Sequence, residues 1–126
     1  MYEGGCLCGR IRFRGDAEAG WPHVCSCPHC QRLAGGPLTA WVDFPLAKFE
    51  WTGGSEPTWY HTFPTTKRGF CPTCGSLVAA LDEGSDVMGI TMMALDDHSA
   101  LTPVHQSCKE TAVPWLPVVE TVASDA

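Results

Sequence analysis

The sequence predicts a small single-domain protein of the all-β class, with short antiparallel strands and metal-binding loops. Short runs of aromatic and β-branched residues recur along the chain, and thirteen glycines and ten prolines leave few windows for helices. Eight cysteines in 126 residues favour cross-links by metal or disulfide, because so small a domain buries a modest core. We expect one domain over 1–126, with a core of roughly 2–116 and a C-terminal tail of 117–126.

The first clear strand lies at 9–15, GRIRFRG, where Ile11 and Phe13 alternate with arginines. This period of two predicts a strand with one buried face and one solvated face. Further runs of strand-forming residues are bounded by glycine, proline, aspartate or serine. They lie at 38–44, 48–53, 58–63, 76–81 and 86–95. The prediction is about six strands, and the best helical window is a turn or two near PHCQRLAG.

Aromatic residues on these predicted strands are assigned first to the core and second to the walls of a substrate cleft. They are Trp41, Phe44, Trp51, Trp59 and Tyr60.

Charge and hydropathy restrict the partners. The net charge of −6, with eight Lys plus Arg, argues against the basic face that phosphate binding requires. No apolar run approaches the about 20 residues of a membrane span. The N-terminal segment lacks the basic and apolar regions of a secretory signal, so we expect a cytoplasmic protein with reduced thiols. Metal is therefore favoured, and a secreted domain with four disulfides is the alternative.

Two cysteine pairs have the spacing of a structural zinc site. Cys71 and Cys74, in CPTCG, are typical of a zinc knuckle, and Gly75 permits the positive φ that turns backbone N–H groups toward the sulfurs. One knuckle supplies two of the four thiolates that a closed tetrahedron needs. Cys6 and Cys8, in CLCG, are the natural second pair, again followed by glycine. Zinc on all four would tie the N-terminal strand to the middle of the chain.

The remaining cysteines form the CSCPHC motif and one isolated position: Cys25, Cys27, Cys30 and Cys108. Three close thiolates make a zinc platform whose fourth position can hold water or substrate, as catalytic zinc requires. Alternatively, Cys108, His29 or His23 completes the tetrahedron and both zincs are structural, or CSCPHC shares a metal with CPTCG. Ligand counting leaves these alternatives open. By default, Cys108 is a small buried hydrophobe.

These motifs resemble the glutathione-dependent formaldehyde-activating enzyme family, which includes the centromere protein V domain. The resemblance runs from GGCLCGRIRF through CSCPHCQRLAGGPLTAWVDF and KRGFCPTCGSLV to ALDDHSALTPVHQS and Trp115, and so covers most of the chain. It implies an Mss4-like β fold and a carbon–sulfur lyase activity that joins glutathione, or a similar thiol, to formaldehyde. It also implies two zinc ions, a structural one on Cys6, Cys8, Cys71 and Cys74 and a catalytic one on Cys25, Cys27 and Cys30.

The chain departs from the family pattern beside the predicted catalytic zinc. Ser26 stands where the family commonly has histidine, and a histidine appears instead at His29. His29 is a candidate general base, with a solvated loop histidine as the alternative. Arg32 and Arg68 are candidates to bind a carboxylate of a glutathione-like ligand, with solvated surface arginines as the alternative.

Three functional classes follow from these observations. The first is a zinc-dependent enzyme acting on a thiol–aldehyde adduct such as S-hydroxymethylglutathione. The second is a non-catalytic interaction module in which both zincs are structural. The third is a zinc-ribbon nucleic-acid binder, which the acidic composition disfavours.

Overall fold

Two β-sheets and one short helix make up the described part of the chain. The computed structural model describes residues 1–116 and the backbone of Ala123–Ser124. The strands are β1 (Tyr2–Gly5), β2 (Arg12–Gly15), β3 (Gly20–Cys25), β4 (Thr39–Pro45), β5 (Phe49–Trp51), β6 (Thr58–Phe63), β7 (Thr66–Phe70), β8 (Leu77–Asp82), β9 (Val87–Thr91), β10 (His105–Ser107) and β11 (Ala123–Ser124). The helix α1 (Pro28–Ala34) follows β3. The prediction of a mainly β protein is confirmed; the predicted tail lies outside the described residues except for the backbone of β11.

The two sheets differ in size and strand order. The smaller one is antiparallel with the order β1-β2-β5. The larger one has the order β11-β10-β3-β4-β9-β8-β7-β6. In the larger sheet β10 runs parallel to β3 and β11, and the other neighbours are antiparallel. Strands β3, β4, β9, β8 and β7 are therefore consecutive neighbours, and together they present one continuous face.

Strand β4 separates the core from the opposite face of the larger sheet. Phe44 is fully buried in the core together with Phe13 from the smaller sheet. A Cβ atom at Gly15 would lie 2.5 Å from the Phe44 ring, so glycine permits the close approach of the two sheets there. Trp41 and Asp43 alternate with core residues along β4 and point the other way, into a cavity.

The strand prediction was incomplete. It missed β1, β3, β7, β10 and β11, and it carried β9 too far, because Met92–Ala94 forms a turn of 3-10 helix. Tyr60, predicted in the core, is 61% exposed on β6. The predicted helix of a turn or two near PHCQRLAG is confirmed as α1. Over residues 1–116 and 123–124, no helix has the length and apolar character needed to cross a membrane.

Candidate metal centres and the adjoining cavity

Cys6, Cys8, Cys71 and Cys74 form a four-cysteine cluster whose sulfur atoms all lie within 4.8 Å of one another. The Sγ atom of Cys8 lies 3.6 Å from that of Cys6 and 3.8 Å from that of Cys71. Sulfurs at about 2.3 Å from a tetrahedral zinc are about 3.8 Å apart, so the two distances fit this geometry. A disulfide needs about 2.05 Å. The cluster can therefore supply all four ligands of one zinc.

Each pair of this cluster lies in a tight turn that ends in glycine. Gly9 and Gly75 have φ values of 83° and 79°, in the left-handed region that the sequence analysis expected for Gly75. Hydrogen bonds from the Ser76 hydroxyl and its backbone N–H lower the pKa of Cys74 to about 5. Ser76 thus favours the thiolate form of Cys74, which is the form that binds metal.

Cys25, Cys27 and Cys30 form a three-cysteine cluster, and their sulfurs also lie within 4.8 Å of one another. Cys25 ends β3, Cys27 is the N-cap of α1, and Cys30 lies in the first helical turn. The backbone N–H of Cys30 donates to the Cys27 Sγ at 3.3 Å, and Pro28 occupies the start of the helix. The transition from strand to helix therefore brings the three thiols together.

The three thiols do not ionise alike. Hydrogen bonds from Cys25 and from the Arg68 guanidinium lower the pKa of Cys30 to about 5. The hydrogen bond with Cys30, together with burial, raises the pKa of Cys25 well above its ordinary value. The Nη1 atom of Arg68 donates to the Cys30 Sγ at 3.5 Å. Negative charge is thus favoured on Cys30, the most buried of the three.

No described residue completes the three-cysteine cluster as it stands. Within the part of the chain that the structure describes, no further cysteine, histidine or carboxylate has its ligand atom within 4.8 Å of all three sulfurs. Cys108 follows Ser107, which pairs with Cys25 across β10 and β3, so the Cys108 thiol lies beside the cluster without joining it. Burial raises the pKa of that thiol. A tetrahedral metal ion bound to these three sulfurs would need a fourth ligand that the described residues do not supply in this arrangement.

A cavity of about 220 Å³ adjoins the three-cysteine cluster on the face of the larger sheet opposite the core. Besides Cys25 and Cys30, its walls include Trp21, His23, Trp41, Asp43, Arg68 and Asp82. Its volume is below the roughly 300–1,000 Å³ of pockets that enclose drug-sized ligands. The cavity therefore suits a small molecule or one end of a larger molecule.

The sequence analysis missed Trp21 and Asp43 in these walls. Trp21 has a positive φ of 43° at a bulge in β3, and its ring stacks on that of His23 with 3.9 Å between centroids. Nδ1 of His23 donates to the Trp21 carbonyl at 2.7 Å. Burial raises the pKa of Asp43. The sequence could have indicated Asp43, because it follows Trp41 by two residues on one strand and therefore points to the same face of the sheet.

The other predicted site residues differ in whether they contact the three-cysteine cluster or its cavity. Arg68 lines the cavity and contacts Cys30. The ring of His29 packs against the Phe63 ring, with 4.4 Å between centroids. Arg32 is exposed on the last turn of α1 and does not line this cavity. Of the two predicted arginines, the structure brings only Arg68 to the cluster.

A larger cavity of about 790 Å³ lies between α1 and the four-cysteine cluster. Its walls are mainly apolar, with Leu33, Leu38 and Met93 among them, and they include no sulfur of the three-cysteine cluster. Reactive groups rather than volume identify a catalytic site. We therefore take the smaller cavity as the candidate site.

Comparisons with known proteins agree with the motifs and with the fold. A family model described as glutathione-dependent formaldehyde-activating enzyme matches residues 1–110. The crystal structure of a Rhodobacter sphaeroides protein superposes with a TM-score of 0.63 and 22% sequence identity, covering 80% of this chain and 91% of that one. This likeness shows the fold alone. A search among curated proteins found no significant match.

Proposed function

Because the chain belongs to the glutathione-dependent formaldehyde-activating enzyme family, we propose that it is a zinc-dependent carbon–sulfur lyase. It joins a small thiol such as glutathione to formaldehyde or a similar small aldehyde, and it reverses that reaction. The family supports the type of chemistry, and the residues around the three-cysteine cluster support its location.

The observation that carries the proposal is the difference between the two cysteine clusters. The four-cysteine cluster offers four ligands, enough for a full tetrahedron, whereas the three-cysteine cluster offers three, and Cys25 and Cys30 of these line a cavity. We assign a structural zinc to Cys6, Cys8, Cys71 and Cys74 and a catalytic zinc to Cys25, Cys27 and Cys30. Zinc on the three-cysteine cluster would lower the pKa of a thiol at its remaining position and keep that thiol nucleophilic.

The chain's own groups fit a reaction between a thiol and a small carbonyl compound. In the cavity wall Cys30 and Trp41 are buried, whereas Cys25 is half-buried. The volume leaves a whole tripeptide outside, so we expect glutathione to enter by its cysteine side chain. Roles for His29 in proton transfer and for Arg32 in binding glutathione remain predictions.

We also propose a reducing compartment such as the cytosol. All eight cysteines are free thiols in the structure, and the seven in the two clusters must be reduced and deprotonated to bind metal. The acidic composition supports small-molecule partners over nucleic acid.

Exchange spectroscopy by NMR tests the proposed reaction. At equilibrium, ¹³C-labelled formaldehyde interconverts with S-hydroxymethylglutathione, and catalysis raises the rates in both directions without changing the populations. We expect catalytic amounts of the zinc-loaded protein to raise the exchange rate in proportion to protein concentration. The metal-depleted protein is the control and should act like buffer. An exchange rate that is equal with and without the zinc-loaded protein would contradict the proposal.

A further inference from the structure

Arg68 is a buried cation in the wall of the cavity. Only 8% of its surface is exposed, and its guanidinium lies over the Trp41 ring, 5.4 Å from the centroid. Its Nη1 donates to Cys30, but its Nε is buried without a hydrogen-bond partner. Within residues 1–116, no carboxylate forms an ion pair with it. A buried guanidinium that has no carboxylate partner favours a ligand that brings negative charge into the cavity.

The charges around Arg68 limit what that ligand is. Asp43 and Asp82 line the same cavity, so their carboxyl groups oppose the entry of a ligand that carries a permanent carboxylate. A neutral molecule avoids this repulsion on entry, and the charge that it gains during reaction forms beside Arg68. An aldehyde is such a molecule, because its oxygen acquires charge when a thiolate attacks the carbonyl carbon.

The neighbouring polar groups are less suited to stabilise that oxygen. Nδ1 of His23 already donates to the Trp21 carbonyl. The Thr66 hydroxyl donates to Asp82, and the Ser85 hydroxyl donates to the backbone carbonyl of Val87. Among the described residues that line the cavity, Arg68 therefore supplies the permanent cation.

We propose that Arg68 binds the oxygen of a small aldehyde and stabilises the alkoxide formed in the addition step. This inference rests on the proposed function. It gives Arg68 a different ligand from the one that the sequence suggested, which was a carboxylate group of glutathione. In the step, the thiolate sulfur forms a bond to the carbonyl carbon, and the π electron pair moves to the oxygen. The alkoxide then takes a proton from water to give the hemithioacetal, and the proton that the thiol released on ionising neutralises the hydroxide left behind. In the reverse direction, the hydroxyl group loses its proton and the carbonyl bond re-forms. The electron pair of the carbon–sulfur bond then leaves with the sulfur as thiolate.

Kinetics of Arg68 variants, with thiol affinity measured separately by calorimetry, test this assignment. For Arg68→Gln we expect kcat/KM for formaldehyde at saturating glutathione to fall about 10²–10³-fold, the effect of losing one oxyanion donor. The dissociation constant for glutathione and the zinc content should stay at wild-type values. Arg14→Gln is the matched control, because Arg14 lies exposed on the smaller sheet beside Glu50, and it should leave every readout unchanged.

The outcomes separate this inference from the proposed function. An active wild type with an equally active Arg68→Gln variant overturns the inference alone, as does a weakened glutathione affinity with unchanged kcat. An inactive wild type overturns the proposed function and this inference together. If Arg68→Gln does not fold or retain zinc, Arg68→Lys decides, since it keeps the charge but loses the planar fork. We expect it to lose about tenfold or more in kcat/KM for formaldehyde, and wild-type kinetics would overturn the inference.

Discussion

Replacing Cys27 by serine should abolish adduct exchange and remove one of the two zinc ions while leaving the fold intact. The variant removes one thiolate of the three-cysteine cluster. It keeps an N-cap for α1, because serine accepts the same backbone hydrogen bond that the Cys27 Sγ accepts from Cys30. The loss of activity should exceed the about 10–100-fold cost of removing an outer-shell partner of a metal ligand.

The measurement combines NMR exchange, zinc content and far-ultraviolet circular dichroism. Cys108→Ser is the matched control, since Cys108 lies beside the cluster but outside the set of mutually close sulfurs. It should retain both zinc ions and the wild-type exchange rate. A Cys27→Ser protein with full activity would contradict the assignment of the three-cysteine cluster as catalytic.

Replacing Cys71 by serine should unfold the protein rather than merely inactivate it. Cys71 is fully buried, and its cluster joins the turn after β1 to the turn between β7 and β8. Structural zinc contributes about 10–16 kcal/mol of apparent binding energy in small zinc peptides. That is comparable to the about 5–15 kcal/mol by which a whole domain is stable.

Thermal melting followed by circular dichroism provides the test. We expect no cooperative transition for Cys71→Ser, whereas Cys27→Ser should melt cooperatively. The contrast controls for the loss of a thiol as such, because both variants exchange cysteine for serine at a predicted zinc ligand. Equal melting temperatures for the two variants would contradict separate structural and catalytic roles.

Local chemistry explains what the sequence could predict. The CxC, CxCxxC and CxxC spacings fix which sulfurs are near one another, and the glycine of each knuckle pair reflects a backbone turn that needs positive φ. The alternation through Ile11 and Phe13 predicted a buried face, and both side chains are fully buried. These features depend on neighbours within a few residues.

The missed strands depend on partners far away in the chain. Strand β3 contains Pro22 and a bulge, and β7 carries the basic residues of TKRGF, so neither resembles an isolated strand. Strand β10 has three residues and is held by parallel pairing to β3. Their tertiary partners compensate for weak local propensity.

The same limit applies to the cavity. Arg68 was a candidate because it precedes Cys71 in sequence, yet its contacts are with Cys30 and Trp41, on other elements. Sequence spacing cannot reveal that Arg68 on β7 contacts Cys30 in the first turn of α1. Three strands, β8, β9 and β4, lie between β7 and the strand that leads into α1. His29 shows the converse case, since it is adjacent to Cys30 in sequence but packs on Phe63 of β6.

Zinc content combined with a glutathione titration tests the central claim, that one cluster is closed and the other has an exchangeable position. Protein purified without added zinc is analysed for metal, and release to a chromophoric chelator is then followed as glutathione increases. We expect two zinc ions per chain, one for each cluster, and glutathione should make only one of them exchangeable. Two zinc ions that are equally inert to glutathione would contradict the account and favour a purely structural module.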